Sequence, residues 1–174
     1  MRIPHAVPGC ADALVPQLMK DGFCSTLILS PPGGGKTTLL RECVRRLSDQ
    51  GLRISLMDER GEIAAVQNRT PQFDVGANTD IMTGGQKAAC CMMLLRAMRP
   101  DVLAFDEISA PEDIEAMRIA AGAAACAIHR PRRRHHGQRA AVLRAMGGGD
   151  PGTGHAHTGR ARRAAYIGRA AWKI

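Results

Sequence analysis

Six consecutive residues, Gly33-Gly34-Gly35-Lys36-Thr37-Thr38, put three side-chain-free backbones beside a cation and two hydroxyls. Glycines let a main chain curl until several N–H groups point into one hollow. A lysine and a hydroxyl at the rim are what a bound polyphosphate and its metal ion require. The spacing fits G-x-x-x-x-G-K-[ST] at Gly35, Lys36 and Thr37, with Ser30 where the first glycine is usual. In this reading residues 33–38 hold the phosphates of ATP, Lys36 reaches the β- and γ-phosphates, and the Thr37 hydroxyl ligates Mg²⁺. The plain alternative is a glycine-rich turn with no ligand.

Two acidic pairs extend that chemistry. Val102-Leu103-Ala104-Phe105 is a short apolar run that ends in Asp106-Glu107, a Walker B pattern. Asp106 is expected to hold Mg²⁺, and Glu107 to polarise the attacking water as general base. A second apolar run, Arg53-Ile54-Ser55-Leu56-Met57, leads directly into Asp58-Glu59-Arg60-Gly61-Glu62-Ile63. Charged residues crowded at the carboxyl end of a parallel strand lie at the crevice where ligands bind. A solvated charged loop is the bland reading of the same residues.

The elements that must position these groups are legible. Thr26-Leu27-Ile28-Leu29 predicts a strand, and residues 36–48, apolar at helical spacing, predict a helix closed by Gly51. Strand, glycine-rich turn and helix in that order are the context that a phosphate-binding loop needs. Residues 10–19 predict a short helix interrupted at Pro16, with a turn at Asp21-Gly22. Residues 67–86, which include Asn78-Thr79-Asp80 and Gly84-Gly85, read as a long polar loop. Helices are expected at 86–98 and 111–121, and a strand at 123–128 delivering His129 to the sheet edge, where a sensor role competes with an ordinary surface histidine. Met92, Met93 and Met98 read as core filler.

Bulk composition sets limits. A chain of 174 residues supports one domain with a proper core. It holds no run of eighteen apolar residues, and its N-terminus is not followed by an apolar signal core, so a cytoplasmic protein is expected. Six cysteines occur without C-x-x-C spacing and read as reduced, mostly buried residues. The net charge of +8 divides unevenly. Residues 130–174 hold eleven Lys and Arg against one acid, a net of +10, whereas residues 1–129 hold thirteen against fifteen, a net of −2. The organisation expected is an ATPase core at 1–129 and a basic Arg/Gly/His-rich tail at 130–174, poorly ordered apart from a helix at 140–146. The tail could bind nucleic acid, but Phe23, Phe73, Phe105, Tyr166 and Trp172 are the only aromatics, and base stacking has little to use.

Several stretches together resemble one family, the stage III sporulation protein AA ATPases. They are Gly9-Cys10-Ala11-Asp12, residues 30–40, Asp58-Glu59-Arg60-Gly61-Glu62-Ile63, Asn78-Thr79-Asp80, Leu95-Arg96-Ala97-Met98-Arg99-Pro100-Asp101 and Asp106-Glu107-Ile108. That family carries Ser before its Pro-Pro-Gly, so Ser30 belongs to the likeness. The family is similar in turn to the type II/IV secretion ATPases. The resemblance covers residues 3–122, and none is found past residue 129. It implies an α/β fold, a RecA-like P-loop NTPase with a mainly parallel sheet flanked by helices. It also implies a ring-shaped homo-oligomer in which ATP hydrolysis drives a membrane-embedded sporulation complex from the cytoplasm, at the inner face of a membrane. Asp58 and Glu59 fall where the secretion ATPases have an acidic box near the nucleotide, which makes Glu59 a second catalytic candidate beside Glu107. Arg60, Arg96 and Arg99 are candidates for an arginine finger. Two rivals stand beside this reading. A P-loop small-molecule or nucleotide kinase would need an acceptor pocket, and a nucleic-acid-binding module would act through the tail.

Overall fold

The computed structural model describes residues 6–19, 25–29, 33–107, 111–122, 126–129, 141–145 and 165–167. Ser30, Pro31, Pro32, the Asp21-Gly22 turn and most of the basic tail lie outside the described residues. The elements in chain order are α1 (Val15–Met19), β1 (Ser25–Leu29), α2 (Lys36–Asp49), β2 (Ile54–Met57), β3 (Thr79–Met82), α3 (Lys87–Met98), β4 (Val102–Phe105), α4 (Pro111–Gly122), β5 (Cys126–His129), β6 (Ala141–Ala145) and β7 (Ala165–Ile167).

They build one sheet of order β3-β2-β4-β5-β1-β6-β7. The five strands from β3 to β1 are mutually parallel, and β6 and β7 add antiparallel pairings beyond β1. The expected α/β class with a mainly parallel sheet is thus what the chain adopts. Parallel strands buried on both faces read as continuous apolar runs rather than alternating ones. All four residues of β2 and all four of β4 are buried. Ile54, Leu56, Val102 and Ala104 face a core shared with Leu40, Val44 and Leu47 of α2 and Leu18 of α1. Met57, Leu103 and Phe105 face the opposite core, with Cys90, Cys91 and Leu94 of α3. Helices therefore cover both faces, and every polar loop is pushed to the strand ends.

α2 matches its expected span. It ends at Asp49, with Gln50 as C-cap and then Gly51 at φ +88°, the left-handed residue that closes a helix. Pro16 does not interrupt α1. It occupies the first turn, where a missing N–H costs nothing.

Four expectations are corrected. The polar stretch 67–86 contains the edge strand β3, paired in register with β2 (Ser55 opposite Asp80, Leu56 opposite Ile81). Its half-exposed pattern carries no apolar signature to find. The strand expected at 123–128 is β5, which starts later and includes His129. Residues 141–145 form strand β6 along β1 rather than a helix, because a long-range pairing outweighs the helix propensity of Ala, Leu and Arg. Met93 and Met98 are exposed, since the buried face of α3 is set by Lys87, Cys90, Cys91 and Leu94.

Candidate functional site

Strand register brings the charged ends to one edge. Met57 stands opposite Phe105 and Met82, and Leu27 opposite His129. Ala104 stands opposite Ile128, which puts Phe105 level with His129 and so with Leu27. Two residues beyond this row lie Glu59, Glu107 and Leu29, the last residue of β1. One strand, β5, separates β1 from β4. Their axes are therefore about 10 Å apart, twice the usual strand spacing. The carboxyl ends of β1 and β4 are thus one strand apart on the same edge.

Residues 33–38 form a glycine turn that runs into the start of α2. Gly33 and Gly35 take φ of 78° and 77°, a region that side-chain-bearing residues avoid. Gly35 is the N-cap of α2, and no side chain caps the helix there. Its carbonyl accepts the first helical bond, from Leu39 N–H at 2.8 Å. The remaining N–H groups of the first turn are those a helix presents to an anion. Lys36, Thr37 and Thr38 are half-buried at this turn.

The loop after β2 is built around a buried carboxylate. Asp58 is fully buried, and its two oxygens accept from the backbone N–H groups of Glu62 (2.9 Å), Ile63 (3.1 Å) and Ala64 (2.8 Å). The carbonyls of the same stretch are taken by Arg41 of α2. Its Nε donates to Ile63 O at 2.6 Å and its Nη2 to Glu62 O at 2.7 Å. The guanidinium also lies 3.8 Å from the Phe73 ring centroid. Arg41 begins the second turn of α2, four residues past Thr37, so the helix that starts at the glycine turn grips the loop directly.

That grip aims Glu59 and Arg60 outward. Arg60 N–H donates to Asp106 Oδ2 at 3.3 Å, and its Nη1 lies 3.2 Å from Glu107 Oε2. Asp106 is buried, and burial, with Asp58 nearby, pushes its carboxyl above the ordinary range despite the N–H groups of Arg60 and Glu107 and the charge of Lys87. A cation beside this buried carboxylate would offset the hydration that burial removes. Glu59 turns to α3, where it accepts from Lys87 Nζ at 2.5 Å. The same ammonium donates to Asp113 of α4 at 3.2 Å. Burial is the largest single influence on Lys87 and lowers its pKa, but the two carboxylates together outweigh it and the net direction is upward.

The family model for sporulation stage III, protein AA matches residues 1–140. The chain belongs to the sporulation stage III protein AA family. A curated member of this family, the stage III sporulation protein AA of Bacillus subtilis (strain 168), is 38% identical over 123 residues, covering 67% of this chain and 40% of that protein. The family match runs past residue 129, where no likeness was expected. Among solved structures, the X-ray structure of the Legionella pneumophila ATPase DotB is similar at 17% identity and a TM-score of 0.44, covering 75% of this chain and 36% of that one.

In this member of the stage III protein AA family, Glu59, Asp106 and Glu107 follow the carboxyl ends of β2 and β4, and residues 33–38 lead into α2 after β1. Asp58 turns inward and serves the loop backbone instead. Arg96 and Arg99 stand at the far end of α3 from Lys87, whereas Arg60 is in the acidic cluster. Sequence reasoning missed Arg41, Lys87 and Asp113. One local signal pointed to Lys87: a lysine as first residue of a helix opposes the helix dipole and needs a carboxylate partner. Among the described residues no group of three or more His, Cys, Asp or Glu is arranged to hold a metal ion by itself, and no helix is long and apolar enough to cross a membrane.

Proposed function

We propose that the chain carries an ATP-binding, ATP-hydrolysing core. The observation that supports this most is the shared sheet edge: β1, which precedes the glycine turn and α2, and β4, which ends in Asp106 and Glu107, are parallel and one strand apart. The backbone of residues 33–38 and Lys36 would bind the triphosphate. Thr37 and Asp106 would hold Mg²⁺, which when bound neutralises phosphate charge. Glu107 accepts a proton from water as the water oxygen bonds to the γ-phosphorus and the bridging P–O bond breaks, giving ADP and inorganic phosphate. Glu59, fixed by Lys87, is the second acid of this set. The proposed setting is a ring of identical subunits in the cytoplasm, at the inner face of a membrane and engaging a membrane-embedded sporulation complex.

The test measures binding of a fluorescent ATP analogue and phosphate release, each across protein concentration with parallel mass measurement. Lys36→Ala is expected to lose binding, and Glu107→Gln to bind without turnover. Turnover that rises with self-association supports a ring. Wild-type rates in Glu107→Gln would refute the base assignment.

A further inference from the structure

Glu107 already has a cationic companion. Its side chain is only 10% exposed, and one carboxylate oxygen is engaged by Arg60 Nη1 at 3.2 Å. Arg60 combines a half-exposed side chain, 46% exposed, with a fixed backbone. The carboxylate of Asp58 binds the N–H groups of residues 62–64, the Asp58 carbonyl accepts from Gly61 N–H at 3.2 Å, and Arg60 N–H is held by Asp106. Arg41 pins the carbonyls of Glu62 and Ile63 from the other side. The long, half-exposed Arg60 side chain stands on this anchored backbone, with room to turn about it.

A guanidinium shared between a carboxylate and a phosphate favours the phosphate. The phosphate carries more charge, and its paired oxygens match the planar fork. We propose that Arg60 is a latch on Glu107 whose guanidinium transfers to the terminal phosphate of a bound nucleoside triphosphate, so that triphosphate, and not diphosphate, frees the carboxylate. This rests on the ATP-site reading above and adds to it a residue that discriminates the two nucleotides. While the latch is closed, Glu107 Oε2 faces a cation and cannot take a proton from water on that side. Once it opens, the same arginine neutralises charge on the group being transferred and the carboxylate is available. A nucleotide without the third phosphate lacks the group that Arg60 would transfer to, and the latch stays shut.

The experiment titrates the full chain, with Mg²⁺, against a fluorescent non-hydrolysable ATP analogue and against fluorescent ADP. Wild type is expected to prefer the triphosphate. Arg60→Gln should cut that preference about tenfold, the worth of a hydrogen bond to a charged group, with ADP affinity unchanged. Glu107→Gln should bind the triphosphate about two- to fivefold more tightly than wild type, because no part-exposed ion pair must be broken first. Removal of a negative charge could raise affinity by itself, so the double variant decides. The gain from Glu107→Gln should vanish in the Arg60→Gln background, since the two residues act as one unit. A gain of equal size in that background, no gain at all, or an unchanged preference in Arg60→Gln each overturns the latch while leaving the ATP site standing. A wild-type chain that binds neither nucleotide overturns both. Arg60 is a half-exposed loop residue, so its substitution should leave the melting temperature within about 2 °C of wild type.

Discussion

Replacing Lys87 with methionine isolates the worth of the buried ion cluster that joins three elements. Lys87 is 5% exposed and Asp113 9%, so their contact is a buried pair, whereas Glu59 is 45% exposed. Removing one member of a buried pair costs about 3–5 kcal/mol, because a charge is left in a poor solvent. The half-exposed Glu59 adds about 0.2–1 kcal/mol at most. Methionine keeps most of the stem's volume, so a cavity contributes little. Lys87→Met should therefore lose about 3–5 kcal/mol in urea unfolding at pH 7, with an unchanged slope, and melt about 6–20 °C lower for a chain of this size. Lys87→Met/Asp113→Leu removes both charges and should recover most of the loss. The pH dependence gives an independent check. The folded-state pKa of Lys87 is raised above its ordinary 10.5, so its stabilisation is present below that pH and is lost as pH climbs through the folded value. Wild type should show that alkaline decline and Lys87→Met should not. A single variant within about 1 kcal/mol of wild type, or a double variant no more stable than the single, would refute the claim that this ammonium holds a buried carboxylate.

Three further perturbations probe the same edge. Asp58→Ala takes the acceptor from three backbone N–H groups, two of them belonging to the fully buried Ile63 and Ala64, and should cost about 2–6 kcal/mol in a urea melt. A loss under 1 kcal/mol would mean that the loop does not depend on this carboxylate. Gly76 has φ +87°, and a Cβ there would stand 2.4 Å from Ser48 Cβ. Gly76→Ala should therefore destabilise by about 2–4 kcal/mol, read by thermal melting. Asp106→Asn should raise the melting temperature at pH 7. The folded carboxyl titrates above its ordinary 3.8, so the folded state loses stability as pH rises from 3.8 through the folded value. The advantage of the variant should shrink to nothing below pH 3.8, and an unchanged or lower melting temperature at pH 7 would contradict the burial argument.

What was legible in the sequence follows the physics of each element. β2 and β4 were found because both faces of a central parallel strand are buried and the residues read as apolar runs, and β1 because its short apolar run precedes the glycine turn. α2 was found with its end because periodicity and Gly51 agree. β3 was not, since an edge strand with Asp80 exposed has only its pairing to β2 to define it. β6 was missed for the same reason, because its partner β1 is more than a hundred residues away in sequence. At the site, the acids that follow apolar runs were legible, and their division of labour was not. Nothing in Asp58-Glu59 tells which carboxylate turns inward. That is decided by the N–H groups of residues 62–64 and by Arg41, which arrives from a different helix.

Charge burial in this protein is concentrated rather than spread. Among the described residues ten polar or charged ones are buried, and Arg41, Asp58, Lys87, Asp106, Glu107 and Asp113 all belong to the cluster at the ends of β2 and β4. Each loses hydration, and such arrangements seldom gain stability over apolar packing of equal volume. A chain selected only to stay folded has no reason to gather them at the edge that also carries the glycine turn. Their contacts form a continuous path from α2 through Arg41 to the Asp58 loop, through Arg60 to Asp106 and Glu107, and through Glu59 to Lys87 and α4. Any ligand that draws on Arg60 or on the start of α2 must therefore alter the balance of charge at Glu107 and at the root of α3.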